Sequence, residues 1–186
     1  MNIELLKRLG TVKRFNKDEY ICLEQEKGNT AYLLLQGKTD IVCGSFEDQC
    51  HKVAELQPGA IFGEMSLLEN KARNASAQAT VDDTLVLEIE KSNFLEILRI
   101  ENETAWNLMN TLLARMDKMM NELQHGNYVS VAGYKKNIYY LQLKKLTKEQ
   151  FEKIAGQDPE QMMTLLKFLS RSLAEMDEVI LRERKK

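Results

Sequence analysis

Six glycines fall at positions 10, 28, 37, 44, 59 and 63, and the next is not met until 126. Over the same stretch the apolar residues come in short runs, at 20–23, 31–35, 39–42, 53–56, 77–81 and 85–89. Several of these alternate, as Leu85, Leu87 and Ile89 do around Val86 and Glu88. Period-two runs punctuated by glycine are what antiparallel strands joined by tight turns need. Residues 12–90 are therefore expected to form a small all-β barrel or roll. After Glu90 the period changes. Ala105, Leu108, Leu112, Met116, Met119 and Leu123 step by three or four, and Met109, Leu113 and Met120 widen the stripe. That spacing predicts a long amphipathic helix, with Ser92 as the N-cap of the helix before it and His125-Gly126-Asn127 as its stop. The fold class expected is a β-roll of the double-stranded, jelly-roll-like kind followed by long helices, α+β overall.

The tail repeats the helical pattern. Thr147 is a candidate cap for a helix at 148–155 with Gly156 as its break, and Asp158-Pro159 opens another. In that last helix Met162, Leu166, Leu169, Leu173, Met176 and Ile180 alternate spacings of four and three, an a/d seam about three heptads long. We expect the chain to self-associate through it, as a homodimer, or to fold it back on the helix at 105–123. Residues 127–145, with tyrosines at 128, 134, 139 and 140, fit a strand, a hairpin or an extended segment equally. The domain division expected is 1–125 and 126–186.

Composition removes several classes. The chain has 186 residues, 44% hydrophobic and 29% charged, which a packed core supports and wholesale disorder does not. No apolar run approaches the length of a membrane span, and MNIELLKRLG does not read as a secretory signal. Three cysteines, Cys22, Cys43 and Cys50, then read as reduced thiols of a cytoplasmic protein. Cys43, Cys50 and His51 lack a fourth partner, so no metal is expected. The two histidines, His51 and His125, have no triad-like neighbours, and no acid/base pair or nucleophile stands out. An enzyme is not expected. Trp106 reads as a core residue of the long helix.

The stretch that carries chemistry is Phe62-Gly63-Glu64-Met65-Ser66-Leu67-Leu68, followed by Arg73-Asn74-Ala75-Ser76. Gly63 permits a tight approach at the start of a helical turn, where the N–H groups of Glu64, Met65 and Ser66 lack helical partners and suit an anion. Arg73 can return to the same place and hold a phosphate bidentately, while Glu64 would serve a sugar hydroxyl. The same spacing equally suits an ordinary Glu64–Arg73 salt bridge across a bend.

These residues resemble the phosphate-binding cassette of cyclic nucleotide-binding domains: Phe-Gly-Glu, a small residue two positions on, then Arg-x-Ala-Ser. Gly28-Asn29, the run from Tyr32 to Gly37, and Leu56-x-Pro58-Gly59 are similar to the glycine-turn-strand pattern of that family's β-roll, so the likeness covers about 10–123. The resemblance implies cyclic AMP or cyclic GMP as ligand, with no further cofactor. Phe62, Gly63, Glu64, Met65, Ser66, Arg73, Asn74, Ala75 and Ser76 would line the site, Glu64 on the ribose 2′-hydroxyl and Arg73 on the cyclic phosphate. Ala72 stands where many members carry proline, which loosens the loop without removing a contact.

The tail has two family-like readings. Residues 146–169 can be laid on the helix-turn-helix of catabolite-activator-like regulators, but the would-be recognition helix lacks arginines for bases. Residues 126–186 hold twelve basic and eight acidic side chains, scattered rather than clustered, which argues against DNA as partner. The other reading is an echo: residues 89–94 parallel 146–151, and the helix through Leu112 parallels that through Leu169. Nineteen residues from 127 to 145 cannot hold a second β-roll, so no second nucleotide site is expected. The preferred reading is a sensor module that binds cyclic nucleotide and signals through its helices. A catabolite-activator-type regulator and a dimerising module that binds nothing are the alternatives.

Overall fold

The computed structural model describes residues 9–44, 51–100, 102–125 and 138–184. Its contacts divide the chain into two compact units, Met1–Ile97 and Leu98–Lys186. The first is built of eight strands: β1 (Thr11–Phe15), β2 (Tyr20–Cys22), β3 (Thr30–Gln36), β4 (Thr39–Cys43), β5 (His51–Leu56), β6 (Ile61–Phe62), β7 (Ser76–Ala79) and β8 (Thr84–Glu90). They form two antiparallel four-stranded sheets, ordered β1-β8-β3-β6 and β2-β7-β4-β5. Ile21 and Cys22, Tyr32 and Leu34, Phe62, Ala77 and Val86 meet between them as one buried cluster. Their inward positions alternate along each strand, as two-sheet packing requires.

All six expected runs are strands. Two others were not read from the sequence as separate strands, for physical reasons. Four of the five residues of β1 are exposed, so its apolar pattern is absent; the strand is held by pairing with β8, Thr11 opposite Glu88 to Phe15 opposite Thr84. The other, β6, is two residues long, too short to show a period.

A short helix α1 (Glu64–Glu69) interrupts the strands. The remaining helices are α2 (Lys91–Ile100), α3 (Asn102–His125), α4 (Ile138–Lys144), α5 (Lys148–Gln157) and α6 (Pro159–Arg184). The expected cap at Ser92 is corrected: α2 starts at Lys91 and includes Ser92, and the Lys91 N–H donates to the Asn29 carbonyl at 3.1 Å. Gly156 is not a break either. The helix runs on through Gln157 and ends at Asp158, which the following proline holds out of helical geometry at φ −146° and ψ 85°. Thr147 does cap α5, in a reciprocal box with Gln150. Of the ambiguous segment 127–145, residues 138–144 form α4 and 126–137 lie outside the described residues.

The second unit packs α3, α5 and α6 together. Of the two arrangements expected for the seam, α6 takes the one folded back on α3. Met162, Leu166, Leu169, Leu173 and Met176 are each 0% exposed within the single chain, so a dimer would have to use some other surface. Trp106 packs on Phe151 with ring centroids 5.4 Å apart. Among the described residues no helix is long and apolar enough to cross a membrane.

Candidate functional site

The cassette lies where β6 runs into α1. Pairing of β6 with β3 sets Tyr32 opposite Phe62, and their rings stack with centroids 5.2 Å apart. The Phe62 side chain therefore braces the core between the sheets. The next residue, Gly63, turns the chain into α1 at φ 71°, a left-handed conformation that costs other residues energy. A Cβ there would also lie 2.5 Å from Arg73 Nη1. Glycine is thus required twice, by the backbone and by the guanidinium. Gly28 has a similar reason: its Cβ would fall 2.0 Å from Ser66 Oγ, so the loop before β3 crosses the cassette directly. Asn70 closes α1 in a left-handed conformation, its N–H on the Ser66 carbonyl.

Arg73 returns to this point and is 7% exposed. Its backbone is fixed by Gln25 N–H donating to the Arg73 carbonyl at 2.8 Å and by Arg73 N–H donating to Glu26 at 2.9 Å. Its side chain lies over the Tyr32 ring, 5.2 Å from the centroid, in cation–π geometry. Nη2 donates to the Thr30 carbonyl at 3.0 Å and to Thr30 Oγ1 at 3.1 Å. Nη1 makes longer bonds, to the Gly63 carbonyl at 3.3 Å and Ser66 Oγ at 3.4 Å. Each of these acceptors is neutral. The salt bridge left open by the spacing is not among them.

Glu64, 2% exposed, Met65 and Ser66 are buried in the first turn of α1. Ser66 Oγ donates to the Gly63 carbonyl at 2.9 Å. Asn74 is exposed, and its carbonyl accepts from Cys43 Sγ at 3.5 Å. Ala75 and Ser76 are half-buried, and Ser76 Oγ accepts the Glu24 N–H at 2.9 Å, tying the cassette's far end to the loop after β2. Gly63, Ser66 and Arg73 thus converge on one point, while Asn74, Ala75 and Ser76 extend from it into β7.

Two residues of the site, Thr30 and Tyr32, are not singled out by the sequence motif. Thr30 Oγ1 donates to Tyr32 Oη at 3.1 Å, Tyr32 Oη donates to Glu88 Oε1 at 3.3 Å, and Lys13 Nζ pairs with Glu88 Oε2 at 2.6 Å. The proton order of this chain is forced. A guanidinium can only donate and a carboxylate only accept, so both hydroxyls must point away from Arg73. Burial raises the Tyr32 hydroxyl above its ordinary value, keeping its proton in place. Burial also raises the Cys22 thiol, against the pull of Arg73. Cys22 is a core thiol. Among the described residues no cluster of three His, Cys, Asp or Glu residues is placed to hold a metal.

The family model "Cyclic nucleotide-binding domain" matches residues 12–101. The cyclic AMP receptor protein of Thermus thermophilus is 35% identical over 103 residues, 55% of this chain and 47% of that protein. The cGMP-dependent protein kinase 2 of Homo sapiens is 32% identical over 84 residues, 45% of this chain and 11% of the kinase. The chain therefore matches about half or less of the length of these relatives. Among solved structures, the Thermus thermophilus catabolite activator protein aligns over 92% of this chain and 94% of its own, with a TM-score of 0.58 and 22% identity, a likeness of fold. The turn at Gly63 and the matched residues converge: residues 12–101, just under half of the chain, form a cyclic nucleotide-binding domain.

Proposed function

We propose that this chain is a cyclic-nucleotide sensor, not an enzyme, that binds cyclic AMP or cyclic GMP in the cassette at 63–76 and passes occupancy on through its C-terminal helices. The observation that carries the reading is the Arg73 guanidinium, buried, with hydrogen bonds to the neutral acceptors of Thr30, Gly63 and Ser66. An anion that reaches such a guanidinium gains charge-assisted, bidentate hydrogen bonds in place of weaker bonds to neutral groups. The cyclic phosphate supplies the anion. The buried Glu64, in the first turn of α1, is the group for the ribose hydroxyl, and Gly63 and Ser66 let the phosphate approach the backbone. Residues 1–125 then act as the ligand-binding domain with its helix and 126–186 as an extension, in the cytoplasm.

DNA is left out of this reading. The exposed positions of α6 include Arg171, but its Nε is paired with Glu175 at 3.2 Å. One residue, Asp158, joins α5 to α6, where a helix-turn-helix uses a turn of about three or four residues.

Thermal melting in the presence of cyclic AMP, cyclic GMP and, as control, the open 5′-monophosphates tests the proposal. A ligand at a hundred times its Kd stabilises the folded state by about 2.7 kcal/mol. A rise in melting temperature with a cyclic nucleotide and a smaller one with the open forms is expected. No rise with either cyclic nucleotide at millimolar concentration would leave the module that binds nothing as the better reading.

A further inference from the structure

The helix boundaries repeat. Lys91 begins α2 and Lys148 begins α5, a step of 57 residues; both helices are 10 residues long. Asn102 begins α3 and Pro159 begins α6, again a step of 57, and these run 24 and 26 residues. Each pair thus consists of a short helix followed by a long one. The same step superposes the buried positions: Phe94 on Phe151, Ala105 on Met162, Met109 on Leu166, Leu112 on Leu169 and Met116 on Leu173. An amphipathic helix that merely continued the chain would share the period but not the boundaries.

Two ion pairs join the repeats. Glu103 and Glu160 hold the same place in the two repeats, second in the long helix. Glu160 pairs with Arg99, near the end of α2, at 2.9 Å, and Glu103 pairs with Lys148, at the start of α5. Each long helix thus reaches the short helix of the other repeat. The two partners are not equivalent by the step of 57, since Arg99 falls on Gly156 and Lys148 on Lys91, so the ion pairs join the two repeats without repeating one contact.

We infer that α5 and α6 are a second copy of the α2–α3 helix pair, and that they cover from within one chain the face of α3 that the pair of a second chain would otherwise cover. The apolar stripe of α3 needs a partner of matching period, and α6 supplies it with five residues fully withdrawn from water. The tail is a built-in partner.

Isotope-resolved coupling of the full chain tests this. Unlabelled and 15N-labelled chains are unfolded together, refolded, treated with a zero-length carbodiimide and digested, and the Lys148–Glu103 coupled peptide is weighed. Pairing within the chain gives only all-light and all-heavy coupled peptides. Mixed light–heavy peptides at the statistical share of about one half would mean that the helix pair docks on another copy, and would overturn the inference. Absence of the coupled peptide would do the same. Lys148→Arg keeps the charge but cannot couple, so loss of the product in that variant confirms the assignment.

Discussion

Arg73 is held unevenly, and the unevenness has consequences for single residues. The Nη2 bonds to Thr30 lie within the usual range, whereas those of Nη1 to Gly63 and Ser66 are stretched. Thr30 therefore anchors the guanidinium, and Nη1 is the nitrogen an anion can claim. Arg73→Ala should weaken cyclic-nucleotide binding by about 2–5 kcal/mol, more than Glu64→Ala, because a phosphate charge is left without its partner. Thr30→Val, which keeps the carbonyl bond and loses the hydroxyl, should cost about 1 kcal/mol, and Thr30→Ser should restore it. Fluorescence competition with each variant measures both. Equal losses for Arg73→Ala and Glu64→Ala would contradict the assignment of the charge. The cassette was legible because Gly63, Glu64 and Arg73 sit within eleven consecutive positions. Thr30 was not, because its contact with Arg73 spans 43 residues and arises from the pairing of β3 with β6.

At the scale of elements, legibility followed burial. Strands with one face in the core announced themselves by alternation; the exposed β1 and the two-residue β6 did not. The seam of α6 was legible as a pattern, but a sequence does not say which surface covers it. Since α3 and α5 do, Leu169→Glu with Leu173→Glu should unfold the helical unit rather than release a folded monomer. Burying two unpaired carboxylates costs about 3 kcal/mol or more each, comparable with a domain's whole stability. Circular dichroism showing native helix content in this variant would contradict that packing.

Another element has a pH signature. Tyr140 on α4 donates its hydroxyl to Asp117 on α3, and Lys144 Nζ lies 2.9 Å from the same carboxylate. Burial alone would raise Asp117, but these two donors outweigh it and hold its carboxyl below the ordinary value. A depressed carboxylate stabilises the fold above the unfolded value, near pH 4, and the gain is lost as pH falls through the folded value. Melting temperature should therefore drop on acidification below about pH 4, and Asp117→Asn should flatten part of that drop.

For the molecule as a whole, the β-roll was readable from a local motif and a glycine pattern. The pairing of α3 with α6 was one of two arrangements the pattern allowed, because the choice depends on which helix faces meet. The echo between the two helix pairs was visible only in fragments, since Leu113 and Ser170 share a buried position without sharing chemistry. The account rests most heavily on the buried Arg73 being a receptor for the phosphate of a cyclic nucleotide. Isothermal titration of the full chain with cyclic AMP and with cyclic GMP measures that directly. The account predicts saturable binding of at least one of them at one nucleotide per chain, abolished or severely weakened in Arg73→Ala. No heat of binding for either nucleotide at millimolar concentration, or binding that Arg73→Ala leaves unchanged, would contradict it.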